Sequence, residues 1–165
     1  MPPYMGGGEM VGTVTFEKNT YAPLPMKFEA GTQNFASAAT LKPAIYVANK
    51  LNDNKLVEKL DSIRDYLLDY FRKDERIRLY GVPRGTNEEK IPLFSFSVKG
   101  VHHEDLALIL DKMGVAVRSG QMCAEPLMDR FGVTGMLRVS FAPYNTLEEA
   151  EYFVKCLNKA IDMLL

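Results

Sequence analysis

Two long stretches of the chain place apolar residues three or four positions apart, which is the spacing of one face of an amphipathic helix. The first covers residues 54–71, and its apolar positions are Leu56, Leu60, Ile63, Leu67, Leu68 and Phe71. The second follows Thr146 and continues to Ile161. Because Thr146 and Glu149 have the spacing of a capping box, the last helix is predicted to begin there.

Shorter elements lie between these two helices. The clearest is a strand at 93–98, where Phe94, Phe96 and Val98 alternate with serines. The remaining strands are predicted at 77–81, 115–119 and 137–143, and short helices at 103–114 and 126–132. Strands that follow one another without full-length crossovers favour an α+β fold, with a mostly antiparallel sheet and helices on one face.

Residues 1–53 do not have the pattern of a self-sufficient unit. A glycine-rich start leads into an extended segment or hairpin near residues 11–16, and prolines then exclude a helix interior. A helical pattern follows over 35–51, where Pro43 predicts a kink or a restart near Thr40. The sequence therefore predicts one domain over 54–165 and a preceding segment that belongs to something larger.

Composition narrows the classes of function. The chain has 165 residues, 47% of them apolar, and a net charge of −1. Near-neutral charge argues against nucleic acid or a membrane surface as a partner, and no apolar run reaches the roughly 18 residues of a membrane span. Two cysteines predict neither a disulfide framework nor a metal cluster. With no secretory signal at the start, the expected location is the cytoplasm.

Arg138 is a candidate binding residue. In "LRVSFA" the period-2 rule puts Leu137, Val139 and Phe141 on the core face and Arg138 on the other, beside small side chains. A guanidinium there has room to bind a carboxylate through two hydrogen bonds. The alternative is an arginine on an ordinary solvated strand face.

Cys123 is a candidate nucleophile because "RSGQMCAEPLM" places it on a loop without apolar periodicity. Arg118 could favour a thiolate there, whereas Glu125 would oppose it, and an incidental loop cysteine remains the alternative. Cys156 has packing spacing on the last helix and is predicted to lie in the core. His102 and His103 are interpreted as turn and capping residues, since no third ligand completes a site.

Four segments in order carry a resemblance to a known family: "PPYMGGGEM", "KFEAGT", "GVAVRSGQMCAEPLM" and "LRVSFAPYNTLEEAEYF". They resemble the C-terminal portion of group II (SufS-type) cysteine desulfurases and selenocysteine lyases, which are class V aminotransferase-like enzymes that use pyridoxal 5′-phosphate (PLP). The resemblance implies the small C-terminal domain of a fold type I PLP enzyme over 54–165. It implies that 1–53 is a remnant of the large PLP-binding domain and of the dimer interface.

The same resemblance implies roles for three residues. Cys123 matches the loop cysteine that takes sulfur from L-cysteine as a persulfide and passes it to an acceptor protein for iron–sulfur cluster assembly. Arg138 matches the arginine that binds the substrate α-carboxylate. Thr32 matches the threonine that reaches the PLP phosphate of the neighbouring subunit in a homodimer. Gln121 and Met122 depart from the family, which often has histidine at these positions, and "GTQN" replaces "GTPN".

The resemblance also places the PLP lysine upstream of the first residue of this chain. None of the present lysines matches its motif, so we expect the isolated chain to lack desulfurase activity. The alternative is a module that carries sulfur on Cys123, or forms dimers, without PLP. A weaker alternative is another class V enzyme, such as an epimerase or aminotransferase, against which the Cys123 loop argues.

Overall fold

The computed structural model describes residues 1–51, 54–81 and 90–165. It divides into two compact units, Met1–Lys50 and Leu51–Leu165. In the described part of the chain, no helix is long and apolar enough to cross a membrane.

The first unit contains a hairpin and a long helix. Strands β1 (Val11–Val14) and β2 (Asn19–Tyr21) pair antiparallel, and a 3-10 turn (Met26–Phe28) follows. Helix α1 (Phe35–Leu51) is continuous and contains Pro43. Of the two expected outcomes, the restart near Thr40 is therefore wrong, and a kink at Pro43 stays a prediction. Proline removes one backbone hydrogen bond, and the alanine-rich sequence around it sustains the helix.

The second unit is built on a four-stranded sheet in the order β3-β4-β6-β5, and every neighbouring pair is antiparallel. Its strands are β3 (Ile77–Tyr80), β4 (Leu93–Val98), β5 (Arg118–Gly120) and β6 (Met136–Ser140). Its helices are α2 (Asn54–Lys73), α3 (His103–Lys112), α4 (Glu125–Phe131) and α5 (Leu147–Leu164). This arrangement confirms the α+β class and the antiparallel sheet.

Helices α2, α3 and α5 cover one face of the sheet and form the core with it. Their apolar faces pack on β4 and β6, where Phe94, Phe96 and Leu137 have no exposed surface. The ring of Phe71 lies 5.0 Å from that of Phe96, between centroids. The predicted capping box begins α5, since Thr146 accepts from the Glu149 backbone and the Glu149 side chain accepts from the Thr146 N–H.

The short helix α4 lies on the opposite face, which the sequence did not predict. Its Met128 is buried against Tyr80 and Met136, and Phe131 packs on this second apolar cluster. Rings of Tyr80 and Phe131 are 4.8 Å apart. The face that carries Arg138 is therefore partly covered rather than open to solvent along its whole length.

Candidate functional site

A row of four side chains crosses the sheet on the face opposite the core. The strand registers pair Tyr80 with Ser95, Ser95 with Arg138, and Arg138 with Arg118. Because cross-strand partners point to the same face, the two arginines are direct neighbours there. We call Tyr80, Ser95, Arg138 and Arg118 the cross-strand row.

Arg138 is half-buried, and nothing in the described part of the chain accepts a hydrogen bond from its guanidinium. Its neighbours on β6, Leu137 and Val139, are buried in the core, as the alternation predicted. A guanidinium carries five N–H donors, and none of them is taken up by a described residue at this position beside a second cation. It is suited to bind an anion, and a planar carboxylate matches its fork.

Cys123 lies on the loop that joins β5 to α4, and it is exposed. The loop holds two non-glycine residues in the left-handed region, Met122 at φ 58° and Cys123 at φ 59°, after Gly120 at φ 111°. Such backbone costs roughly 1–2 kcal/mol per non-glycine residue. Strained backbone is concentrated at functional sites, so this loop is a candidate for one.

Arg118 connects the loop to the cross-strand row. Its Nη2 donates to Sγ of Cys123 at 3.6 Å, while its strand position faces Arg138. On the other side of the cysteine, Gln121 donates from Nε2 to Oε1 of Glu125 at 3.2 Å. Arg118 is thus adjacent both to Cys123, through a hydrogen bond, and to Arg138, through the strand register, while Glu125 accepts from Gln121.

A cavity of about 310 Å³ adjoins Arg138 between the sheet and α4. Its polar lining comes from Tyr80, Ser95, Lys90 and Arg138, and the remainder is apolar, including Met122 and Leu127. Burial lowers the pKa of Lys90 from its usual value. Among the described residues the lining contains two cations and no carboxylate, so the electrostatic environment favours an anion with an apolar body.

Thr32 belongs to the first unit and is exposed just before α1. Gly31, at φ 80°, turns the backbone there, and Oδ1 of Asn34 accepts from the N–H of Ser37 in the first turn of the helix. A free hydroxyl ahead of a helix start has the chemistry to bind a phosphate oxygen. The chemistry of Thr32 is compatible with a phosphate group such as that of PLP, and the contact itself stays a prediction.

Other predicted residues have structural roles. His102 is the N-cap of α3, where its Nδ1 accepts from the backbone N–H of Glu104 at 3.4 Å. Burial lowers the pKa of His103, and the neighbouring His102 lowers it further. Cys156 is 4% exposed and lies in the main core. The capping interpretation of His102 and the core placement of Cys156 are confirmed, whereas His103 lies in the first turn of α3 and makes no capping contact among the described residues.

Ser95 and Tyr80 were missed by the sequence analysis, and so was the pairing of Arg118 with Arg138. The alternation of 93–98 already put Ser95 on the polar face of its strand. What the sequence could not supply was the order of strands, because register between non-adjacent segments depends on tertiary packing.

Comparison with known proteins defines the family of this chain. Residues 1–153 match the model of the aminotransferase class-V family. The chain therefore belongs to that family, which agrees with the resemblance described above.

Named relatives are cysteine desulfurases. The chain is 41% identical over 164 residues to a probable cysteine desulfurase of Vibrio cholerae. The match covers 99% of this chain and 39% of that protein. The crystal structure of the cysteine desulfurase CsdA (S-sulfonic acid) from Escherichia coli matches with a TM-score of 0.81 and 35% identity. The match covers 100% of this chain and 40% of CsdA. This chain thus spans about two fifths of the relatives that it matches.

A more distant structure has the same fold. It is described as a C-DES mutant with glycine covalently linked to the PLP cofactor, and it matches with a TM-score of 0.62 at 14% identity. That likeness extends over 94% of this chain and 38% of the other. PLP is thus bound by a protein of this fold.

Proposed function

We propose that this chain is the part of a cysteine desulfurase that binds the substrate carboxylate and receives its sulfur. The observation that carries the proposal is the arrangement around Arg118, whose guanidinium lies opposite Arg138 and donates to Sγ of Cys123. In this set, Arg138 fits a carboxylate and Cys123 can accept sulfur. Arg118 is adjacent to both. Whole-chain similarity to cysteine desulfurases supports the same reaction.

The reaction assigns a separate task to each residue. Arg138 binds the α-carboxylate of L-cysteine and thereby fixes the position of the substrate sulfur. The thiolate of Cys123 attacks that sulfur: an S–S bond forms, the carbon–sulfur bond breaks, and a proton completes L-alanine. The products are L-alanine and a persulfide on Cys123. Arg118, as a cation next to Sγ, favours the negative charge that a persulfide carries.

Cleaving that carbon–sulfur bond needs an electron sink, which PLP supplies when it is bound. Within this chain Thr32 would hold the cofactor phosphate through its hydroxyl and the neighbouring backbone. The resemblance assigns that contact to a homodimer in which Thr32 serves the partner subunit. The resemblance also places the lysine that binds PLP covalently in a portion of the enzyme that precedes these residues. The subgroup that it indicates is the SufS-type group.

The exposed position of Cys123 supports delivery to a second protein. A persulfide at a loop tip is accessible to the thiol of a sulfur-acceptor protein, whereas one in the core would not be. The reduced state of such a thiol requires a reducing compartment, so the cytoplasm is the proposed location. Iron–sulfur cluster assembly is the proposed use of the sulfur.

A second candidate function follows from the same exposure. Cys123 and Arg118 need no cofactor to hold a persulfide, so the chain could carry sulfur supplied by another reaction. The two candidates differ in one product. Only a desulfurase converts L-cysteine to L-alanine.

The test therefore measures L-alanine. The full chain is incubated with L-cysteine and PLP, alone and with the separately expressed N-terminal portion of a relative such as CsdA. The desulfurase proposal expects L-alanine when that portion is present, and none when Cys123 is replaced by serine. Persulfide formation from inorganic polysulfide, with no L-alanine under either condition, would instead favour the carrier.

A further inference from the structure

A second pocket lies on the same face of the sheet, beyond the Tyr80 end of the cross-strand row. It measures about 490 Å³ and is formed by β3, the turn before α3, and the loop 132–135 after α4. We call it the Arg78 pocket. None of its lining residues is Cys123, Arg138 or Thr32, so the proposed function does not account for it.

We propose that the Arg78 pocket binds the phosphate group of a small organic phosphate. Its positively charged and basic lining residues are Arg78, Lys99, His102 and His103, and no described aspartate or glutamate contributes to it. Glu104 and Asp105 lie in the first turn of α3 and are not lining residues. A concave surface lined by basic residues without acidic ones raises the local concentration of anions.

Arg78 is held in place before any ligand arrives. Its guanidinium lies over the ring of Tyr80 at 4.9 Å, and Nη1 donates to the carbonyl oxygen of Phe131 at 3.3 Å. Neither contact neutralises the charge, and no described carboxylate pairs with this side chain. The remaining N–H groups are free to donate to oxygens of a phosphate, which Arg binds through two parallel hydrogen bonds.

Hydroxyl groups complete the polar part of the pocket. Ser97 lies beside Tyr80, with the two side-chain oxygens 2.9 Å apart in a hydrogen bond. Thr134 is exposed and also lines the pocket. Hydroxyls donate to phosphate oxygens as readily as they accept from other groups. The pocket thus offers a cation and hydroxyl donors around a common space.

His103 forms part of the pocket wall beside Gly135. Its Nδ1 is buried and has no hydrogen-bond partner in the described part of the chain. The imidazole is packed on Gly135: a Cβ on that glycine would lie less than 3 Å from three ring atoms.

The apolar lining indicates that the ligand carries more than a phosphate. Val98, Val101 and Val133 line the pocket beside the charged groups. Inorganic phosphate fills only a small part of such a volume, whereas the organic portion of a phosphate ester would contact the valines. Small-molecule sites combine these two kinds of surface. We therefore assign the ligand to organic phosphate monoesters.

Titration calorimetry on the full 165-residue chain tests this proposal, with adenosine 5′-monophosphate, inorganic phosphate and adenosine as probes. The monophosphate should bind with a dissociation constant of about 1 mM or tighter, roughly tenfold more tightly than phosphate. Adenosine should not bind measurably. Failure of the monophosphate to bind, or equal affinity for inorganic phosphate, would overturn the assignment.

Substitutions test whether the monophosphate binds in the Arg78 pocket. Arg78→Gln should weaken monophosphate binding at least tenfold, and Thr134→Val should weaken it severalfold. Arg130→Gln is the matched control, because Arg130 is an exposed arginine on α4 outside the pocket. Thermal melting of each variant checks the fold, and Lys99→Met replaces Arg78→Gln if the latter unfolds. Equal binding by Arg78→Gln and Arg130→Gln would exclude this pocket.

Discussion

Arg138 lies directly opposite Arg118 across the antiparallel pair of β6 and β5, so two guanidinium side chains share one face of the sheet. Like charges at such positions repel, by a few tenths of a kcal/mol up to about 1 kcal/mol. Neither arginine has a described carboxylate partner. The free chain therefore retains a repulsion that a bound anion would relieve.

That repulsion leads to a prediction about stability. Arg138→Met should raise the free energy of unfolding by roughly 0.5 kcal/mol at low ionic strength, because it removes one of two neighbouring cations. The gain should shrink in about 1 M salt, where the Debye length is near 3 Å. Urea unfolding at both salt concentrations measures it, with Arg130→Met as the exposed control. Destabilisation that is independent of salt would show that the two charges do not interact.

A second prediction concerns substrate binding. In the reconstituted reaction, Arg138→Lys should raise KM for L-cysteine by roughly tenfold or more, because an ammonium cannot reproduce the two-point contact of a guanidinium. Arg130→Lys should leave KM unchanged. Initial rates over a range of L-cysteine concentrations give the comparison. An unchanged KM for Arg138→Lys would contradict the assignment of the carboxylate contact to Arg138.

The core can be tested with a matched pair on α3. Leu106 has no exposed surface, whereas Leu108, two positions later, is 60% exposed. Leu106→Ala should lower the free energy of unfolding by about 2–5 kcal/mol through lost packing and a cavity. Leu108→Ala should change it by no more than about 0.5 kcal/mol. Chemical denaturation measures both, and similar losses would contradict the placement of α3 on the sheet.

A fourth prediction follows from the ion pair between Asp74 and Arg76, whose Oδ2 and Nη2 are 2.7 Å apart. Hydrogen bonding to Arg76 lowers the pKa of Asp74 from its usual value, against the opposing effect of burial. A carboxyl whose pKa is lower in the folded state adds stability above its unfolded pKa, and that stability is lost as pH falls through the folded pKa.

Asp74→Asn should therefore lower the free energy of unfolding at pH 7, and the difference from the parent chain should diminish below about pH 4. Asp69→Asn is the control, since Asp69 pairs with Lys73 while both side chains are well exposed. Urea unfolding across this pH range provides the measurement. A difference that stays constant with pH would mean that the Asp74 charge contributes nothing.

Periodicity predicted most elements of this fold, because long amphipathic helices such as α5 and alternating strands such as β4 have strong patterns. It also placed Arg138 on the correct face. The short helix expected at 126–132 is present as α4, but its side of the sheet was not predicted, since that depends on contacts with Tyr80 and Met136. The partnership of Arg118 with Arg138 depends on strand order, which local sequence does not encode.

The most direct test of the central claim is the mass of the chain after reaction with ³⁴S-labelled L-cysteine in the presence of PLP and the N-terminal portion of a relative. We predict that peptide mapping finds one added labelled sulfur atom on Cys123, that Cys156→Ser retains it, and that Cys123→Ser loses it. Labelled sulfur on Cys156, or L-alanine formation that persists in Cys123→Ser, would contradict the account.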